Sequence, residues 1–176
     1  MIFISGVHGV GKSYFCSIVR EQIGIETYSA SKLISDRKNQ GFPASKLIPD
    51  IDENQQYLVA AVDELREKGK EFIVDGHFCL LNGEGEITRI SLDTFMSLNP
   101  DAIILLTENP QVIAERRKAR DGIDHSVEEI EAFQQQERLY STEVAAMLGI
   151  PIIISNGQAD TDTIIDFINR RKMYGR

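Results

Sequence analysis

The sequence has no long apolar run, few cysteines and a deficit of positive charge. No apolar stretch approaches the roughly 18 residues that a membrane-spanning helix needs. Residues 1–5 lack the basic opening and the length of a signal peptide, so we expect a core strand there and a cytoplasmic protein with no membrane partner. Cys16 and Cys79 have neither metal-binding nor disulfide spacing, which favours two buried thiols in a reducing compartment.

The charge balance argues against one class of partner. The formal net charge is −8, from 27 acidic and 19 basic residues, whereas a large nucleic-acid-binding surface normally carries the opposite sign. Small anionic substrates are still compatible with this composition because cations are concentrated between positions 116 and 120. We therefore expect no nucleic-acid partner and look for a small anion.

Short apolar strands alternate with amphipathic helices along the chain, without repeats, low-complexity tracts or long linkers. This alternation predicts a single α/β domain over residues 1–176, with a parallel sheet covered by helices on both faces. Loop signals occur at 41–43 and 48–50, and a turn is expected at 82–86. The predicted strands lie near 2–5, 25–28, 71–75, 101–106 and 151–155, and the predicted helices near 12–22, 53–68, 110–121, 127–148 and 160–172.

The strongest signal is a phosphate-binding pattern. Residues 6–13 fit G-x-x-x-x-G-K-[ST] between an apolar strand and a helix, the context that the pattern requires. Its glycines let backbone N–H groups wrap phosphate oxygens, and the first amides of the helix point at the same anion. A random chain of this length would match roughly once in a hundred or less. We predict a nucleoside triphosphate site with magnesium, contacted by Gly6, His8, Gly9, Val10, Gly11, Lys12, Ser13 and Tyr14.

Within this site we assign separate tasks to the side chains. Lys12 is expected to bridge the terminal phosphates and the Ser13 hydroxyl to bind Mg²⁺. His8 is expected to contribute its backbone, with a catalytic role for its ring as the less favoured alternative.

Asp75 ends an apolar strand, and in open α/β sheets ligands collect at the carboxyl ends of the strands. We predict that its carboxylate holds Mg²⁺, directly or through water. The alternative is an ordinary aspartate in a turn. His77 shares the face of Asp75 if the strand continues, and we predict that it contacts the phosphate acceptor.

The basic cluster supplies candidate catalytic groups. Arg116 and Arg120 are one helical turn apart, and Arg138 lies on the next predicted helix. In a phosphoryl-transfer site, arginines neutralise the charge that develops on the transferred group. We predict that at least two of these three contact phosphate, together with Lys12; the alternative is a solvated helix face.

These features together resemble the adenylate kinases and related nucleoside monophosphate kinases, especially the archaeal-type adenylate kinase branch. The resemblance covers nearly the whole chain, although only the loop is specific by itself. It rests on the loop at 6–13, Asp75-Gly76-His77, Asn82-Gly83-Glu84, Leu98-Asn99-Pro100, Asn109-Pro110 and the position of Arg138.

The resemblance implies a P-loop NTPase fold with five parallel strands in the order 2-3-1-4-5. It implies an acceptor-binding region at about 28–68, a lid at about 116–127, and reversible transfer of the ATP γ-phosphoryl group to AMP with Mg²⁺. Arg37 would meet the acceptor phosphate, and Asn156 would lie in a loop beside the donor adenine. The branch also suggests an oligomer.

Two departures from the branch leave the acceptor open. The chain lacks an acidic residue at 28–31, and the short lid lacks later arginines. One alternative is a kinase for a non-nucleotide acceptor, in which Asp36, Asp52 or Asp75 would serve as base for a hydroxyl group. Another is an ATPase switch without an acceptor. No Asn-Lys-x-Asp signature is present, so a GTPase is not favoured.

Overall fold

The computed structural model describes residues 1–38 and 51–174. The predicted loops at 41–43 and 48–50, and with them part of the predicted acceptor-binding region, lie outside the described residues. In chain order the elements are β1 (Ile2–Ser5), α1 (Lys12–Ile23), β2 (Glu26–Ser29), α2 (Ala30–Lys38), α3 (Ile51–Glu67), β3 (Phe72–Asp75), β4 (Cys79–Leu81), β5 (Ile87–Arg89), α4 (Leu92–Leu98), β6 (Ala102–Leu105), α5 (Pro110–Asp121), α6 (Val127–Leu148), β7 (Ile152–Ile154), a 3₁₀ turn (Gln158–Asp160) and α7 (Thr161–Tyr174).

Five of these strands form one parallel sheet in the order β2-β3-β1-β6-β7. Numbered among themselves in chain order, these strands read 2-3-1-4-5, so the predicted topology is confirmed. All residues of β1 and β6 are buried, as expected for central parallel strands with helices on both faces. Ile4 is in register with Asp75 on one side and with Ile104 on the other, so the ends of β1 and β3 lie side by side.

Helices α5 and α6 begin after residues whose side chains accept from free N–H groups of the first turn. The Asn109 side chain accepts from the Gln111 N–H at 2.8 Å at the start of α5, and Pro110 occupies its first turn. The Ser126 hydroxyl accepts from the Glu129 N–H at 3.1 Å at the start of α6. By contrast, α1 begins after Gly11, which has no side chain to cap the first amides. Those amides therefore face the region just after β1.

An aromatic cluster packs between β1, the segment that follows β3, and α4. The rings of Phe78 and Phe95 stack at 4.5 Å, and Phe3 meets them edge-on at 5.4 and 5.6 Å. The Tyr140 hydroxyl of α6 donates to the Ile90 carbonyl at 2.6 Å, which ties the segment after β5 to this helix. The cluster therefore couples β1, α4 and α6 in one core.

Two helices, α2 and α4, and two strands, β4 and β5, were not predicted. Helix α2 lies in a polar stretch and buries only Ala30 and Ile34, so its apolar face is too narrow to register as helical periodicity. Helix α4 is short, and its first turn is capped by Ser91, whose hydroxyl accepts from the Asp93 N–H at 3.2 Å. The predicted turn at 82–86 is present, but it joins an unpredicted antiparallel pair, β4 and β5.

In the ranges 1–38 and 51–174, no helix combines the length and the apolar character needed to cross a bilayer.

We predict that Gly76→Ala destabilises the protein, whereas Gly83→Ala does not. A Cβ at Gly76 would lie 2.6 Å from Phe3 Cζ and 3.4 Å from the Ala30 Cβ, inside the packed aromatic cluster. Such overpacking should lower the free energy of unfolding by about 1–3 kcal/mol. A Cβ at Gly83, in the turn between β4 and β5, would meet nothing within 4 Å. Urea unfolding of both variants checks this; equal stabilities would contradict the packing described.

Candidate functional site

A cavity of about 490 Å³ opens at the carboxyl ends of β1, β2 and β3. One set of its lining residues comes from the loop after β1, the end of β3 and the end of α5: His8, Gly9, Gly11, Lys12, Ser13, Tyr14, Asp75, His77 and Arg120. A second set is contributed by α2, α3, the segment from β4 to α4 and α4 itself, and includes Ile34, Asn54, Gln55, Leu58, Leu80, Ile90, Phe95 and Leu98. The structure therefore joins most of the predicted phosphate and metal residues to an apolar space in one cavity.

The backbone at the start of the loop passes very close to the residue that follows β6. Gly6 has φ 147°, and a Cβ there would lie 2.5 Å from the carbonyl oxygen of Leu106. Only glycine fits this approach. The tight passage turns the chain from β1 into the loop and brings the start of α1 to the cavity.

Lys12 is buried inside this loop. Its Nζ donates to the carbonyl of Gly6 and, at 3.4 Å, to that of Val7, and it lies 3.3 Å from His77 Nε2. Burial lowers the pKa of the Lys12 ammonium, and the carboxylates of Asp75 and Glu137 oppose that shift. The ammonium group therefore lies inside the loop, with backbone oxygens as its hydrogen-bond acceptors.

Asp75 and Ser13 both line the cavity and offer oxygen ligands. Burial raises the pKa of the Asp75 carboxyl, and Lys12 opposes this. One or two protein oxygens completed by phosphates and water are the usual ligands of Mg²⁺ in nucleotide sites, so these residues fit a magnesium ion shared with a nucleotide. Within the described ranges, no group of three or more His, Cys, Asp or Glu side chains could hold a metal on its own.

His77 lies against the loop from the other side. Its ring centroid is 4.4 Å from that of His8. Burial, followed by the positive charge of Lys12, holds the pKa of His77 well below 6.5. The ring is therefore neutral at neutral pH and can accept a hydrogen bond from Lys12 through Nε2.

Two consecutive arginines of α5 hold the outside of the loop. Arg116 Nη1 donates to the Val10 carbonyl at 3.2 Å, while its Nη2 pairs with Glu108 at 3.2 Å. Arg117, which sequence analysis left without a role, is buried and donates from Nε to the His8 carbonyl at 2.8 Å. A signal for Arg117 is hard to find in the sequence, because its partner lies 109 positions away.

The other predicted arginines differ in their surroundings. Arg120 lines the cavity and makes two 2.6 Å hydrogen bonds to the Asp121 carboxylate beside it. Arg138 is exposed on α6 and does not line the cavity. Arg37 donates to the Ala60 carbonyl at 3.1 Å and pairs with Glu64 at 2.5 Å on α3. The catalytic and acceptor roles of these residues stay predictions.

Asn156 lies apart from the main cavity. Its side chain is exposed, and its N–H donates to Asp160 at 2.6 Å. The neighbouring Ser155 and Gly157 line a second, small recess together with Val10 and Gly11. The predicted contact of Asn156 with a donor base stays a prediction.

Two buried amides in the cavity wall were not singled out from the sequence. Asn54 and Gln55, near the start of α3, are each 6% exposed and line the cavity. The Asn54 Oδ1 atom is buried and lacks a hydrogen-bond partner in the part of the chain that the structure describes. Polar residues on the buried side of a helix could have signalled them. An unpaired buried acceptor facing a cavity is a candidate ligand contact.

A third unexpected residue is Glu137 on α6, which is fully buried. Its Oε2 accepts from the Ser5 hydroxyl at 2.5 Å, and its Oε1 accepts from the N–H groups of Phe78 and Cys79 at 2.9 and 3.0 Å. Burial raises the pKa of Glu137, and these hydrogen bonds oppose the shift.

Known proteins resemble this chain in sequence and in fold. The family model described as "AAA domain" matches residues 5–134. The adenylate kinase of Pyrobaculum aerophilum is 30% identical over 150 residues, which cover 80% of this chain and 76% of that protein. The putative adenylate kinase of Methanocaldococcus jannaschii is 29% identical over 122 residues, which cover 68% of this chain and 58% of that protein. Shikimate kinase from Acinetobacter baumannii, solved in complex with shikimate, has a TM-score of 0.59 at 15% identity, covering 99% and 93% of the two chains; this likeness shows the fold alone.

We predict that acidification destabilises the wild-type protein more than a His77→Asn variant. The unfolded chain takes up a proton on His77 near pH 6.5, whereas the folded protein does not, so stability is lost as pH falls through that value. Between pH 7.5 and 5.5 this should cost the wild type about 1 kcal/mol that the variant keeps. Urea unfolding at both pH values measures the difference. Parallel losses in the two proteins would show that His77 is protonated in the folded state.

Proposed function

The chain belongs to the adenylate kinase family of P-loop kinases, and on that premise we propose that it transfers the γ-phosphoryl group of ATP to AMP with Mg²⁺ in the cytoplasm. The acceptor would bind in the region 28–68, and the lid would comprise residues 116–127. The observation that carries the proposal is the single cavity that runs from the Lys12 loop to a space walled by apolar side chains and buried amides.

The walls of that cavity favour a nucleobase over a polyol. A purine is flat and apolar on its faces and carries hydrogen-bonding groups only at its edge. The apolar side chains of Ile34, Leu58 and Phe95 suit such faces, and the amides of Asn54 and Gln55 suit the edge. An amide can accept from the exocyclic amino group of adenine and donate to a ring nitrogen. A polyol or sugar acid would instead leave most of its hydroxyl groups against hydrocarbon.

The main requirement of the reaction is that the acceptor phosphate and the γ-phosphoryl group of ATP are aligned. An oxygen of the acceptor phosphate forms the new bond to the γ-phosphorus while the bond to the β–γ bridging oxygen breaks. Lys12 would exchange the carbonyls of Gly6 and Val7 for phosphate oxygens, and Ser13 and Asp75 would hold Mg²⁺. When bound at these two residues, Mg²⁺ would supply positive charge against the negative charge of the nucleotide phosphates.

The arginines would complete the charge balance. Arg120, already at the cavity, is proposed to meet the transferred group after leaving Asp121. Arg116 and Arg138 are proposed to add positive charge from the outside of the loop and from α6. Because the acceptor phosphate is already anionic, no general base is required.

A non-nucleotide acceptor is the second candidate. A hydroxyl acceptor benefits from a carboxylate base, and Asp75 lines the cavity. Asp36 is exposed on α2 and does not line the cavity, and the side chain of Asp52 lies outside the described residues. Asp75 would then have to serve both the metal and the hydroxyl group, which makes this candidate the weaker one.

We predict magnesium-dependent formation of ADP from ATP and AMP. Lys12→Ala should reduce turnover by at least about a hundredfold, because the ammonium group stabilises the transferred charge. Arg120→Ala should lower kcat more than it raises KM for ATP, since the charge that it meets grows in the transition state. A panel of nucleoside monophosphates, shikimate and gluconate, followed by diphosphate formation, decides the acceptor. Transfer only to a hydroxyl compound, or ATP hydrolysis indifferent to every acceptor, would overturn the proposal.

A matched pair of variants tests the base contact in the same assay. Asn54→Leu should raise KM for AMP about tenfold or more and leave KM for ATP unchanged, because an adenine edge would lose its partner. Gln56→Leu is the control, since Gln56 is an exposed amide on the same helix. Equal KM values for AMP in the two variants would remove Asn54 from the acceptor site.

A further inference from the structure

Glu137 is a buried carboxylate that the proposed reaction does not use. It lies on α6, its side chain is fully buried, and no lysine or arginine of the described ranges lies within ion-pair distance. Three hydrogen bonds satisfy it, from the Ser5 hydroxyl and from the N–H groups of Phe78 and Cys79. A carboxylate is an expensive residue to bury for packing alone. Its partners therefore indicate what it does.

Those partners belong to the two segments that form the phosphate and metal site. Ser5 is the last residue of β1 and directly precedes Gly6 of the loop. Phe78 directly follows His77, and the same segment begins at Asp75, the proposed magnesium ligand. One carboxylate thus joins the loop to the segment that carries the metal residue, through charge-assisted hydrogen bonds.

Lys12 contacts the neighbours of the same residues. Its ammonium group donates to the Gly6 carbonyl and lies 3.3 Å from His77, whereas Glu137 accepts from Ser5 and Phe78. The two side chains therefore contact the same two segments at neighbouring residues. Lys12 contacts Gly6 and His77, and Glu137 contacts Ser5 and Phe78. When Lys12 turns to a nucleotide phosphate, its contacts with Gly6 and His77 are lost, and those of Glu137 are not.

We propose that Glu137 is a positioning residue for phosphoryl transfer, which keeps the Lys12 loop and the Asp75–His77 segment in register while Lys12 binds phosphate. Its effect is on the alignment of groups that touch the substrates, and Glu137 itself touches neither substrate. Loss of this alignment slows the chemical step more than it weakens nucleotide binding, because small displacements of reacting groups cost rate.

The test compares Glu137→Gln with Ser141→Ala. The amide oxygen of the Glu137→Gln variant would still accept from both backbone N–H groups, so the variant should fold, but it lacks the carboxylate charge and places an amide nitrogen near the Ser5 hydroxyl. Ser141 is a matched control because it is also fully buried on α6 and its hydroxyl donates to the Arg138 carbonyl of the same helix, at 3.1 Å. Turnover at saturating substrates should fall about tenfold or more in Glu137→Gln, with the Kd of MgATP changed less than about threefold. Ser141→Ala should keep wild-type turnover.

A double-mutant cycle shows whether the effect passes through Ser5. Ser5→Ala should lower turnover, and Ser5→Ala with Glu137→Gln should be no slower than Glu137→Gln alone, because both changes remove the same charge-assisted hydrogen bond between the Ser5 hydroxyl and the Glu137 carboxylate. Wild-type turnover in Glu137→Gln would overturn the inference. A rise in the Kd of MgATP by the same factor as the fall in turnover would also overturn the inference, since Glu137 would then act through folding or binding.

The inference rests on the proposed function only for the choice of assay. If the wild-type protein transfers nothing to AMP, the proposed function fails, and the same variants are compared on MgATP hydrolysis at saturating ATP. An unchanged hydrolysis rate in Glu137→Gln overturns the inference there as well, and a selective fall supports it.

Discussion

The site depends on a buried ammonium group that the loop stabilises with its own backbone. Lys12 donates to the carbonyls of Gly6 and Val7, and burial disfavours its charge unless such partners are present. A phosphate can take over from these carbonyls and brings the full negative charge that they lack. The first amides of α1, which begins after Gly11, point to the same place. The loop carbonyls therefore satisfy the ammonium group in the structure, and the proposed polyphosphate would offer it a stronger partner.

Contacts from α5 and α6 restrict the movement of the loop. Arg116 and Arg117 of α5 hold the carbonyls of Val10 and His8 from outside, and Glu137 of α6 holds Ser5 from below the sheet edge. Helix α5 contains the first residues of the proposed lid at 116–127 and α6 begins at its last residue, so the lid adjoins the contacts that hold the loop. Rigid support of this kind reduces the reorganisation that the transition state requires.

Much of the local structure around the loop could be predicted because its information is local. The loop pattern, the preceding strand and the following helix occupy the first 23 positions, and the strand ending at Asp75 is a continuous apolar run. Arg117 and Glu137 could not be found in this way, because their partners lie 109 and 59 positions away. Helix α2 was not predicted because its buried face is narrow. The sheet order followed from the family resemblance rather than from any residue pattern.

The most direct test of the account follows the backbone amides of residues 9–13 by ¹H–¹⁵N NMR while MgATP is added. We predict large, saturable shifts at these amides and at the Lys12 side chain, with smaller shifts at the Asp75 amide. ATP without magnesium should move the Asp75 amide less. Unchanged loop amides in well-folded protein at millimolar MgATP would contradict the claim that this loop binds a nucleoside triphosphate.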